Sequence, residues 1–162
     1  MTFRDFCASA GTDGNRGAAL VELAVTLPML VMVLVGAADF GRVFYTSMAL
    51  TNAARAGAQY GAQSLSKSSD IAGMRSAASS SVSSENITGL TTSASATCLC
   101  WTDDGLTSAA PSPNSCAGTC AASSHLVITV TVVAQAGFST IVNYPGVPHT
   151  LNLTRTAALR AQ

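Results

Sequence analysis

The chain has 162 residues, eight basic and eight acidic, and a formal net charge of zero. Charged residues make up 10%, against about 25% in an ordinary soluble domain, so a basic surface of the kind that binds nucleic acid is not expected. Ala, Ser and Thr fill 66 of the 162 positions, and the mean hydropathy is nevertheless +0.38. A chain this poor in charge and in bulky core residues, yet this hydropathic, points to a membrane segment.

That segment is Ala18 to Ala38, AALVELAVTLPMLVMVLVGAA, with Glu22 as its one charge. As a helix it spans about 31 Å, the thickness of a hydrocarbon core. A buried core helix is disfavoured because the rest of the chain has too few large apolar residues to cover it. A secretory signal peptide with a cut near Ala37 is a second reading, interrupted by Glu22 and Pro28. A charge at the centre of a membrane helix costs on the order of 3 kcal/mol, and a proline removes one helical hydrogen bond. Neither feature serves a plain anchor. Arg4 and Arg16 precede the span, and Arg42 and Arg55 follow it, so positive charge does not orient it. Four clustered cysteines favour an oxidising compartment for the C-terminal side.

Beyond the span the helix is expected to continue to about Ala62. Phe40, Val43, Phe44 and Met48 recur at spacings of three and four, forming an apolar face. Arg55, Gln59 and Gln63 form a polar one. Gly57 and Gly61 imply close approach of another backbone, from the chain's own sheet or from a neighbouring helix. From 66 to 125, Ser and Thr fill 23 of 60 positions, which argues for a solvated, thinly packed region. A short helix is expected from an N-cap at Ser69 to about Ala78, a loop over 79–84, and a strand of small residues from Thr88 to Leu99. Leu126 to Val133 is the clearest strand. Phe138 to Val142 reads as a turn or short strand, Tyr144 to Pro148 as a turn, and Leu151 to Leu159 as a final strand. The last two long strands suggest an antiparallel sheet.

The run Arg16-Gly17-Ala18-Ala19-Leu20-Val21-Glu22-Leu23 places a Gly before an apolar segment whose fifth residue is Glu. This resembles the processing site of type IV prepilins. Together with Leu27-Pro28, Asp39-Phe40-Gly41-Arg42 and Asn52-Ala53-Ala54-Arg55-Ala56-Gly57, it resembles the TadE-like family of the tight-adherence (Flp) pilus. The resemblance covers about 45 residues. It implies an α+β pilin-like fold: a leader over 1–17, the transmembrane half of a long helix over 18–38, its extracytoplasmic amphipathic half over 39–64, and a small disulfide-containing domain over 65–162.

The implied role is that of a minor pilin or pseudopilin in pilus assembly and surface attachment. A prepilin peptidase would cut on the cytoplasmic side between Gly17 and Ala18. Glu22 would be the assembly carboxylate, and Pro28 would share the assembly segment. Partners would be the inner membrane, other pilin and pseudopilin subunits and the assembly platform. The chain would be single-pass in a bacterial inner membrane with a periplasmic C-terminal domain, either retained there or carried out in the pilus. Leu23 stands where the major pilins of that system have Tyr, which argues against a major pilin. The alternative is a membrane-anchored or secreted binding protein unrelated to pili.

Cys98-x-Cys100 and Cys116-xxx-Cys120 lack the paired spacing of structural zinc sites. Disulfides are expected, with each of Cys98 and Cys100 joined to one of Cys116 and Cys120, since a Cys98–Cys100 ring would be strained. Cys7 falls in the expected leader. Asp103-Asp104-Gly105 reads as a solvated turn rather than a calcium site. His125 and His149 have no nucleophile or carboxylate at motif spacing, and no phosphate loop, HExxH or GxSxG occurs. No catalytic residue, metal or cofactor is expected.

Overall fold

The computed structural model describes residues 14–162 except 86, 106–107, 112–115, 117, 145 and 162. Most of the expected leader, Cys7 and Pro145 of the expected turn lie outside the described residues. The elements are α1 (Gly14–Ala62), α2 (Leu65–Ser68), α3 (Ile71–Ser80), a 3-10 turn (Ser83–Glu85), and strands β1 (Thr91–Thr102), β2 (Ser108–Ala109), β3 (Ser124–Ser139) and β4 (Thr150–Ala161). The fold is α+β: a long N-terminal helix and a four-stranded antiparallel sheet in the order β2-β1-β3-β4. The chain divides into two compact units, Met1–Phe40 and Gly41–Gln162, and each is taken by itself.

In the second unit the α1 residues from Gly41 onward lie on one face of the sheet. Strand side chains alternate between faces, and in β3 the even-numbered positions carry the core. Val130, Val132 and Ala134 are fully buried, with Ala136 and Phe138 nearly so. Against them α1 sets Ala49, Leu50, Ala53, Ala54 and Ala58, and α3 sets Met74 and Ala78. Most of these helix residues are Ala, so the helix backbones come close and the valines and Met74 supply the bulk.

Gly57 and Gly61 mark the closest approach. A β-carbon on Gly57 would stand 2.7 Å from the Met74 carbonyl oxygen and 3.0 Å from Val132 Cγ1. One on Gly61 would run into the Met74 side chain and stand 3.2 Å from Val130 Cγ1. The small-residue pair therefore serves the chain's own α3 and β3.

The apolar stripe of Phe40, Val43, Phe44 and Met48 is not the buried face. Phe40, Phe44 and Met48 are 74%, 59% and 49% exposed, and Val43 is half-buried. The small-residue face is covered instead, because only small side chains admit the sheet so closely. Arg55, Gln59 and Gln63 are exposed as expected.

Element boundaries shift for local reasons. Asp70, not Ser69, caps the second short helix: its Oδ1 accepts from Gly73 N at 2.8 Å. The helix runs on to Ser80, through part of the expected loop. Ser64 caps an extra turn, α2. β1 begins three residues late because Gly89 takes a left-handed turn (φ +68°). β3 extends far past Val133 and absorbs Phe138. Ala134, Gln135, Ala136 and Gly137 favour strand weakly, but they are held by pairing to β4 at Arg155, Thr154, Leu153 and Asn152. Val147 N donates to Tyr144 O at 3.2 Å, closing the expected turn.

Tyr60 Oη donates to Asp70 Oδ2 at 2.9 Å, tying α1 to the cap of α3. The Gly73 amide, and secondarily the Tyr60 hydroxyl, hold the Asp70 carboxyl below its ordinary pKa, while burial opposes them. That hydrogen bond, with burial and the Asp70 charge, raises Tyr60.

Two predictions follow from this packing. In detergent-solubilised full-length protein, Gly57→Ala lowers stability by about 1–2 kcal/mol, because overpacking outweighs the helix-propensity gain of alanine. Gly61→Ala costs less, since Met74 can swing aside where a carbonyl cannot; equal losses in urea unfolding would refute this. Because the folded-state pKa of Asp70 is depressed, its contribution is present above about pH 4 and is lost as pH falls through the lowered value. Asp70→Asn should flatten that acid limb of the stability-against-pH curve and leave the neutral limb parallel to wild type.

Candidate functional site

Two regions carry the residues singled out by the sequence. The first is α1 within the N-terminal unit. The described helix runs through Gly17, Ala18, Glu22 and Pro28 without ending. Straight-chain and small residues favour this, and the helix has enough turns on both sides of the proline to continue past it. Pro28 has no N–H, so the Ala24 carbonyl lacks its usual helical donor. Thr26 Oγ1 donates back to the Glu22 carbonyl at 2.9 Å and lies 3.3 Å from the Leu23 carbonyl.

Glu22 is exposed, and so is every residue from 18 to 34. Leu20, Val21, Met29, Met32 and Val33 are each at least 66% exposed. Among the described residues of this unit, none covers this surface. One described helix is long and apolar enough to cross a membrane. An apolar surface of this extent is stable in lipid or against other helices, and not in water. The geometry fits a single-pass membrane anchor.

The second region is the end of the sheet where the cysteines lie. Cys98 is joined to Cys116 and Cys100 to Cys120, with Cα–Cα distances of 5.2 and 5.5 Å. β2 pairs only with Cys100 and Trp101. Beyond Cys120, the Ser123 carbonyl accepts from Asp103 N at 3.1 Å. Thr102 to Gly105 form a turn closed by Gly105 N to Thr102 O at 2.8 Å, with Gly105 at φ +70°. In this structure all four clustered sulfurs are engaged in disulfides. Among the described residues no three His, Cys, Asp or Glu side chains converge as metal ligands would.

His149 Nδ1 lies 3.0 Å from Thr140 Oγ1, and His125 Nδ1 lies 3.2 Å from Asp103 Oδ1. The second pair is absent from any sequence motif because 22 residues separate the partners. The β1–β3 register, which sets Trp101 opposite His125, brings them together. The same register and that of β3–β4 bring Arg160 to Thr129, a grouping no local pattern announces.

Each bridge spans 18 or 20 residues, and closing such a loop is worth about 3 kcal/mol in chain entropy. Replacing Cys100 and Cys120 by Ser should lower the unfolding free energy by about that much. Thiol titration of the denatured, unreduced wild-type protein should find Cys98, Cys100, Cys116 and Cys120 unreactive.

Residues 17–59 match the family model described as TadE-like protein. The match begins at the expected processing glycine and stops within α1, so β1 to β4 and both disulfides lie beyond it. No curated protein and no solved structure matches the chain. Over this helical segment, residues 17–59, the chain is similar to TadE-like proteins.

Proposed function

We propose that this protein is a minor pilin or pseudopilin that supports assembly of a tight-adherence pilus, and through it surface attachment. The observation that carries the reading is the TadE-like match starting at Gly17, on a helix whose large apolar residues are exposed. In this reading a prepilin peptidase cleaves between Gly17 and Ala18.

Cleavage creates a free amine at Ala18, one helical turn from Glu22. An unpaired amine and an unpaired carboxylate are each unfavourable in lipid. Pairing the amine of one subunit with Glu22 of its neighbour relieves both and sets the register between helices. The missing hydrogen bond at Pro28 makes the helix easier to bend or open there as subunits pack. The exposed Phe40, Phe44 and Met48 extend the apolar surface past the span and give neighbouring subunits a further contact. The association is non-catalytic, and the sheet-bearing unit faces the periplasm.

The N-terminal residue and intact mass of the protein from its native membrane test this reading. A chain beginning at Ala18 is expected. A chain beginning at Met1, or at Ala38 or Asp39, would refute prepilin processing and leave a plain anchor or a secreted protein. Glu22→Ala should be cleaved normally yet be lost from sheared pili, as read by immunoblot; normal incorporation would remove Glu22 from the mechanism.

A further inference from the structure

The outer face of the sheet, opposite α1, carries at one end a cleft of about 470 Å³. This volume falls within the range of about 300–1,000 Å³ in which small ligands are held. Its walls include Trp101 from β1, Asp103 from the following turn, His125, Val127 and Thr129 from β3, and Arg160 from β4. Val127, 8% exposed, gives an apolar floor. Trp101 is held in the sheet interior, paired with Ser108 on one side and His125 on the other. Its neighbour Cys100 is tied to Cys120. The indole is therefore held on a braced strand rather than on a free loop.

The polar groups lining the cleft differ in kind. Asp103 and His125 meet at 3.2 Å while remaining 68% and 50% exposed, so each keeps polar atoms for a ligand. The Arg160 guanidinium has no hydrogen-bond or ion-pair partner among the described residues. From Thr129 in the cleft wall the same face continues as paired hydroxyl residues, Thr97 opposite Thr129 and Ser95 opposite Thr131.

We propose that this cleft binds an acidic saccharide, with one sugar ring on Trp101 and its carboxylate on Arg160. The C–H face of a pyranose packs on the electron-rich indole face. Arg160 offers the planar pair of donors that a carboxylate accepts. Asp103, His125 and Thr129 are at hand for ring hydroxyls, and the Ser/Thr rows let an oligomer run on along the sheet. A compact inorganic anion would use Arg160 but leave the indole idle, and a neutral glycan would leave the guanidinium unpaired. The site belongs to the sheet-bearing unit and stands independently of pilin processing.

Trp101 is the chain's only tryptophan, so its fluorescence reports on this cleft alone. The test is a titration of full-length protein, in a zwitterionic detergent without a sugar head group, with galacturonate oligomers, neutral glucose oligomers and sodium acetate. A saturable change with galacturonate is expected, weakened about tenfold or more in Arg160→Gln, the loss of one charge-assisted pair, and unaltered in Lys67→Gln. Trp101→Phe, followed by calorimetry, should lose binding while keeping its circular dichroism. Equal responses to neutral oligomers, an equal response to acetate, no saturable response in the wild type, or galacturonate binding unaffected by Arg160→Gln would each overturn the proposal.

Discussion

The structure depends on how closely α1 can approach β3. The chain has few bulky apolar side chains outside its N-terminal helix, so its second unit builds a core from alanines, two glycines, a row of valines and one methionine. Such a core is dense only if the backbones nearly touch. Gly57 sits where a β-carbon would strike the Met74 carbonyl, and Leu50, Val130, Val132 and Met74 fill what remains. Close packing of this kind recovers by contact density part of what the composition lacks in area.

A thin core holds a long sheet poorly at its ends. The α1 and α3 contacts cover the middle and one end of β3. At the other end β1 is secured covalently, through Cys98 and Cys100 to Cys116 and Cys120. The two devices divide the sheet between them. One is close packing, which works in any compartment; the other needs an oxidising one. This division leaves the braced end to carry the exposed polar side chains of Asp103 and His125 near Trp101.

The N-terminal unit follows a different rule. Its large apolar residues face outward, as is appropriate where the surroundings are lipid or other helices. One continuous helix thus has an apolar exterior in its first half and a small-residue contact face in its second. Phe40, Phe44 and Met48 keep part of the exterior apolar beyond the span. The TadE-like match lies entirely in the helix, and the disulfide-braced sheet lies beyond it.

Local chemistry was legible where it acts along the chain. The 3.6-residue helix, its end near Ala62, the β-branched run of β3 and the alternating residues of β4 all depend on near neighbours, and the sequence determined them by itself. So did the apolar span with Glu22 and Pro28, because length and hydropathy suffice to define it. Only the tertiary structure decided which face of α1 is buried: an apolar stripe and a small-residue stripe compete, and the winner depends on the shape of what packs against it. It also selected Asp70 over Ser69 as the cap, carried β3 six residues past its β-branched core through pairing with β4, and gathered Trp101, Asp103, His125 and Arg160. Strand register positions Trp101, His125 and Arg160, and with them the turn that carries Asp103; register is set by hydrogen bonding between segments far apart in sequence, which no local spacing encodes.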